Sequence, residues 1–283
     1  MAYWAHLFIS VAMFFMLALG LRFFSAKTGA ISLMHAAFMA IGAYANALGL
    51  SQGYVAPFGW VLGAGTAAIA AFFFSGAVFR ARGDFFAVLT ITLQLAMTTF
   101  LMNADVITNG PRGLSNIPPW PFVYGPSANA AIVALVASLI VATFVWLERS
   151  LWSTTLGAIN DDEILMESLG YDTGSLKKYA FTLSAAVCGV VGAIYAQYVS
   201  YIDPTAFQLA ESILILTIVV LAQKGGLLSL LGASVLVIAF PEFLRFLPSE
   251  AARAANLREI VYAGMLAILL VVRHHRVSVS RDE

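Results

Sequence analysis

The chain is written as long apolar runs divided by short breaks, and that pattern leaves few folds open to it. Eight runs stand at approximately Tyr3–Leu21, Ile31–Leu50, Val55–Phe79, Phe85–Val106, Ala128–Leu147, Tyr179–Tyr201, Phe207–Ala222 and Leu227–Phe246, with a shorter ninth at Ile260–Val272. A helix needs roughly 20 mainly apolar residues to cross the ~30 Å hydrocarbon layer of a bilayer. Only 11% of the 283 residues are charged, and the mean hydropathy is +0.88. Soluble domains carry about 25% charged residues, so this chain cannot clothe a water-facing surface and must face lipid. The expected fold is all-α: a polytopic transmembrane helical bundle of about 8–9 spans, with residues 1–283 as a single domain.

Basic residues give an orientation. With the segment of about 148–178 placed in the cytoplasm, counting spans outward puts 11 of the 15 Lys and Arg inside, among them Arg22, Arg80, Lys177, Lys224 and Arg273. Arg112, Arg245, Arg253 and Arg258 fall outside. The positive-inside bias predicts an outside N-terminus and a cytoplasmic C-terminus, and it requires the ninth run. The first run lacks a basic flank and a small-residue cleavage site, so it is expected to be a retained helix.

Other classes are excluded by what the chain does not carry. The single cysteine, Cys188, permits no disulfide or zinc framework and reads as a small packing residue. Zero net charge suggests no nucleic-acid partner. Lys27-Thr28 lacks the glycine frame of a phosphate loop, so the chain does not bind ATP in that way. No metal-ligand cluster or catalytic constellation stands out.

Polar residues inside apolar runs are the first candidates for function, because a bare polar group in lipid is costly. His35, Gly42 and Asn46 share a stripe on the second run, beside small residues (Ser32, Ala36, Ala40, Ala43 and Ala47) suited to close helix approach. Gln94 and Thr98 share another with Thr90. Asp203-Pro204 reads as a helix start that places Glu211 about two turns below the outer interface. These residues either line a translocation path or bond between helices for packing.

The polar segment Gly157–Gly170 is the sharpest local signal. Asn160 is expected to cap a helix, Glu163 to close its capping box, and Asp161 and Asp162 to favour its positive end. Gly170 is placed to end it in a left-handed turn. Ile164, Leu165, Met166 and Leu169 then form an apolar surface that wants a groove; the alternatives are a helix lying on the membrane surface or an ordinary loop helix.

Six stretches occur together in order: SLMHAAFMAIGAYANAL, RARGDFFAVLTITLQ, TNGPRGLSNIP, LGAINDDEILMESLGYDTGSLKKYAFTLSAAVCGVVGAIYAQYVSYIDP, ESILILTIVVL and GGLLSLLGASV. In these, the chain resembles the permeases of branched-chain amino acid ABC importers, most closely the M-type subunit, over roughly Leu17 to Val272. The resemblance implies a multi-pass permease of the bacterial inner membrane, not itself an enzyme, forming half of a path for branched-chain or other amino acids. Its implied partners, besides membrane lipid, are a homologous second permease, two cytoplasmic ATPases carrying ATP and Mg, and a periplasmic binding protein. Residues Asp161 to Gly170 match the family's coupling segment, which docks on an ATPase, with Glu163, Glu167 and Gly170 at its acidic and glycine positions. The alternative is a stand-alone channel or secondary transporter for a small solute such as urea. That reading expects an internal repeat, and GAISLMHAAF and GGLLSLLGAS offer only a faint echo.

Overall fold

A computed structural model describes residues 2–81, 83–120, 125–222, 225–244 and 264. The apolar runs become helices: α1 (Ala2–Thr28), α2 (His35–Ser51), α3 (Ala56–Val78) and α4 (Asp84–Asn103), followed by the short α5 (Asp105–Thr108). After a turn-rich loop come α6 (Pro126–Glu148), α7 (Leu151–Asp161), α8 (Glu163–Ser168), α9 (Thr173–Val199), α10 (Leu209–Ala222) and α11 (Leu227–Leu244). Among the described residues α1, α3, α4, α6, α9 and the run Pro204–Ala222 are long and apolar enough to cross a membrane. The fold is an all-α polytopic bundle. The ninth run Ile260–Val272, Lys224 and the arginines of the Arg245–Arg258 loop and the tail lie outside the described residues.

α1 and α9 form the middle of the bundle. α2 and α3 pack along one side of α9, while α6, α10 and α11 gather around α1. Backbones touch where α2, α3 and α9 meet. A Cβ on Gly42 would strike the Gly189 backbone, one on Gly189 would strike Gly63, and one on Gly192 would strike Met39. Lipid supplies no hydrophobic drive between helices, so close contact of this kind, with its dispersion energy, is what holds them. Beyond it, Phe181 of α9 sits 5.3–5.8 Å from the rings of Phe24, Phe38 and Phe79, joining α9 to α1, α2 and the end of α3.

The loop after α5 is a built structure. Thr108 Oγ1 donates to the Leu101 carbonyl at 2.6 Å. Two-residue strands β1 (Leu114–Ser115) and β2 (Tyr201–Ile202) then pair antiparallel, Leu114 opposite Ile202. Tyr201 Oη adds a 3.1 Å bond to the Arg112 carbonyl. The loop is thereby strapped to the junction of α9 and α10.

Three expectations are corrected. The second run is not helical from Ile31: Gly29 ends α1 with φ +69°, residues 29–34 run without helix, and α2 starts only at His35. Asn160 is not a cap, because α7 runs through it; Asp162 caps α8 instead, accepting from Leu165 N at 2.9 Å. Glu163 is therefore the first helical residue, too early to close a capping box. The Asp203-Pro204 start yields a 3-10 turn, Pro204–Phe207, and a break at Gln208, so Glu211 lies in the first turn of α10. Asp203 still caps that turn, accepting from Thr205 N at 2.7 Å.

The glycine contact generates a test. Gly189→Ala inserts a methyl group between two backbones, and overpacking of this kind costs about 1–3 kcal/mol. Gly65, exposed with nothing near its would-be Cβ, is the control. Melting of the detergent-solubilised protein should drop for Gly189→Ala and stay level or rise for Gly65→Ala.

Candidate functional site

The start of α2 lies inside the bundle, with residues 32–37 buried, and the chain breaks again just before α10. The first N–H groups of any helix have no partner within it, and α2 has no side-chain cap of its own. Distant helices supply the acceptors. Leu33 N donates to Thr90 Oγ1 at 3.1 Å, Ala36 N to Ser212 Oγ at 3.0 Å, and Ala37 N to Gln94 Oε1 at 2.8 Å. The break before α10 leaves the opposite need, a freed carbonyl on Phe207. Gln94 Nε2 donates to it at 2.9 Å. An amide side chain is both acceptor and donor, so one residue of α4 joins both breaks.

Three of the expected path residues, His35, Gln94 and Thr98, stand at this node, and Glu211 follows in the first turn of α10. His35 Nε2 and Ser184 Oγ of α9 are 2.9 Å apart. Thr98 Oγ1 donates to the Gln94 carbonyl at 3.0 Å and its oxygen lies 3.4 Å from Gln94 Nε2. Glu211 is partly buried next to Ser212. Gly42 and Asn46 are elsewhere, on the α2–α9 contact; Asn46 Nδ2 donates to the Ala193 carbonyl at 2.8 Å. His35 is 1% and Gln94 and Asn46 are 0% exposed, so these side chains are sealed from solvent. Sequence reasoning missed Ser212, Ser184 and the Phe207 carbonyl. A polar residue in an apolar run was the signal for the two serines; no side-chain signal exists for a carbonyl.

The second site is the α7–α8 segment. α7 is capped by Ser150 and buries Ser153, Leu156 and Ile159. At its end, Asn160 Oδ1 lies against Gly29, where the extended approach to α2 begins. α8 is a single short helix that ends as expected. Gly170 takes φ +87°, with Gly170 N donating to the Glu167 carbonyl and Tyr171 N to the Met166 carbonyl. That pair of bonds is the Schellman motif. Its two faces differ. Ile164 is 80%, Leu169 64% and Leu165 54% exposed, while Met166 is buried. Asp161 and Asp162 are exposed as well. On the inner side Lys177 Nζ pairs with Glu163 Oε1 at 2.7 Å, and Thr173 Oγ1 donates to Glu167 Oε1 at 3.0 Å.

Between α8, the start of α9 and residues 79–83 lies an open cavity of about 450 Å³, lined by Phe79, Glu163, Glu167, Asp172 and Lys177 among others. Asp172 caps α9, accepting from Ser175 N at 3.0 Å and Ser175 Oγ at 2.6 Å. Those two bonds hold its carboxyl below the usual carboxylate range. Among the described residues there is no group of three or more His, Cys, Asp or Glu that could hold a metal ion.

Residues 3–270 match the family described as the branched-chain amino acid transport system, permease component. The chain belongs to that family. It is 33% identical, over 261 residues, to the high-affinity branched-chain amino acid transport system permease protein LivM of Escherichia coli strain K12. The same identity holds over 262 residues to the protein of that name from Salmonella typhimurium strain LT2. Each alignment takes in 82% of this chain and 61% of the relative, so the chain spans about three-fifths of the length of these curated relatives. No solved structure matches it.

Two outcomes are expected. Gln94→Leu takes the acceptor from the buried Ala37 N–H, a loss of about 1–3 kcal/mol, and leaves the Phe207 carbonyl only the long 3.5 Å contact of Thr98 Oγ1. Melting in detergent should fall clearly for Gln94→Leu and little for Thr98→Val, since Thr98 donates to its own helix. For Asp172 the folded carboxyl titrates below the unfolded one, so its cap is in full force above about pH 4 and fades as pH falls through the depressed value. Hydrogen exchange at the Ser175 amide should rise in Asp172→Ala at neutral pH, and in the native chain only under strong acid.

Proposed function

We propose that this chain is a permease subunit of a binding-protein-dependent ABC importer of the bacterial inner membrane. It forms half of the translocation path for branched-chain or other small amino acids. A homologous permease supplies the other half, two cytoplasmic ATPases supply ATP and Mg, and a periplasmic protein delivers the solute. Family membership supports the class. Within the chain, the observation that carries the reading is α8: a capped, firmly ended helix holding Ile164, Leu165 and Leu169 out into solvent. Exposed apolar side chains on a helix so short suit a groove on a partner.

In this reading residues 1–283 are one permease domain of 8–9 spans, with the N-terminus outside and residues of about 148–178 and the C-terminus inside. The lysine and arginine distribution supports that sense. Asp161 to Gly170 dock on an ATPase. The path runs along α2, past Gly42 and Asn46, and the node of His35, Gln94, Thr98 and Glu211 is its gate; the burial of His35 and Gln94 supports a closed state. Closure of the ATPases on ATP would move α8 and shift the bundle between states that open the node to one side and then the other. A permease that must release its solute quickly does not hold it tightly, so Gln94 offers bonds it can exchange and no fixed charge.

The experiment is reconstitution of the full complex with Ile164→Asp/Leu165→Asp. Loss of the ATPases on co-purification and loss of ATP-driven uptake are expected; full uptake would refute docking there. Orientation has its own check. Ile164→Cys should react with an impermeant maleimide only from the cytoplasmic side, because Cys188 is buried and silent.

A further inference from the structure

The acids of α8, partly buried Glu163 and exposed Glu167, reach toward α9 and not toward the exposed apolar residues Leu165 and Leu169. Glu163 and Glu167 are one turn apart, which places them on one face of the helix, and both are engaged by α9, through Lys177 and Thr173. A six-residue helix has too few internal bonds to keep its shape under load. Besides its packing on α7 and buried Met166, these two polar contacts attach it to α9. The pair is partly sheltered, with Lys177 at 15% and Glu163 at 38% exposure, so water and salt weaken it less than an open surface pair.

We propose that Glu163 and Lys177 are positioning residues that fasten α8 to α9, making the two helices one lever, and that Glu163 does not itself contact the docking partner. This rests on the docking role argued above and assigns the two faces of α8 separate tasks. Ile164, Leu165 and Leu169 receive the push; Glu163 and Glu167 pass it on. α9 is suited to carry it. Lys178, next to Lys177 and so turned about 100° around the helix, lies over the Phe72 ring of α3 at 5.2 Å. Ser184, seven residues beyond Lys177 and on the same face, meets His35 at the start of α2. Motion of α8 therefore reaches both α3 and the closed node through a single helix, with no loop in between.

The test uses the reconstituted complex with Glu163→Lys, Lys177→Glu and the double exchange, scoring co-purification of the ATPases and solute moved per ATP hydrolysed. Each single variant should keep the ATPases bound yet lower the transport ratio at least about fivefold, the low end of coupling between sites. The double exchange, which restores an opposite-charge pair, should recover most of it. If the single variants shed the ATPases and the exchange does not restore them, Glu163 faces the partner and the fastening is overturned while docking stands. An unchanged ratio in the single variants also overturns it. Docking itself fails only on the Ile164→Asp/Leu165→Asp result, so the two ideas are separable.

Discussion

Every backbone group released inside a bilayer must find a partner in the protein, because lipid offers none. This chain breaks its backbone twice within the bundle, before α2 and before α10, and brings the breaks together so that one amide serves both. Gln94 accepts from Ala37 N and donates to the Phe207 carbonyl. Thr90 and Ser212 answer two more donors at the head of α2, Leu33 N and Ala36 N. The consequence is an arrangement that is ordered yet movable. Regular helices keep their bonds to themselves, whereas broken ones depend on neighbours that can be exchanged.

That arrangement needs a rigid frame, which the glycine contact and the phenylalanine cluster provide. Gly42, Gly63, Gly189 and Gly192 let α2, α3 and α9 approach to backbone distance. Phe181 then ties α9 to α1, α2 and the end of α3, beside the cavity under α8. α9 thus meets both sites, at Ser184 and at Lys177, while α7 touches Gly29 at the foot of the first break.

The bundle was legible in the sequence because hydropathy measures what lipid selects, and the first eight runs became helices near their expected places. The break before α2 was not, since Ile31, Leu33 and Met34 are as apolar in an extended strand of chain as in a helix. Hydropathy does not record φ and ψ; only Gly29 hinted at the stop. Gln94 was singled out by its polarity, but its partners lie 57 to 118 residues away, beyond any local pattern. In the polar segment Gly170 was read rightly because a left-handed stop is a local demand. Asn160 was misread because Asn and Asp are near-equal caps, and the length of α7, set by packing on α1, decided between them. The inward side of Glu163 and Glu167 was equally hidden, as it depends on where α9 begins.

The small β1–β2 ladder sets a geometric limit on how the bundle can open. It joins the loop following α5, downstream of α4, to the turn preceding α10, and α4 and α10 are the helices that carry Gln94 and Ser212. If the node is the proposed gate, that strap is a hinge pin: it keeps the chain ends beside α4 and α10 in register, and a parting of the two helices would be widest at the tips farthest from it.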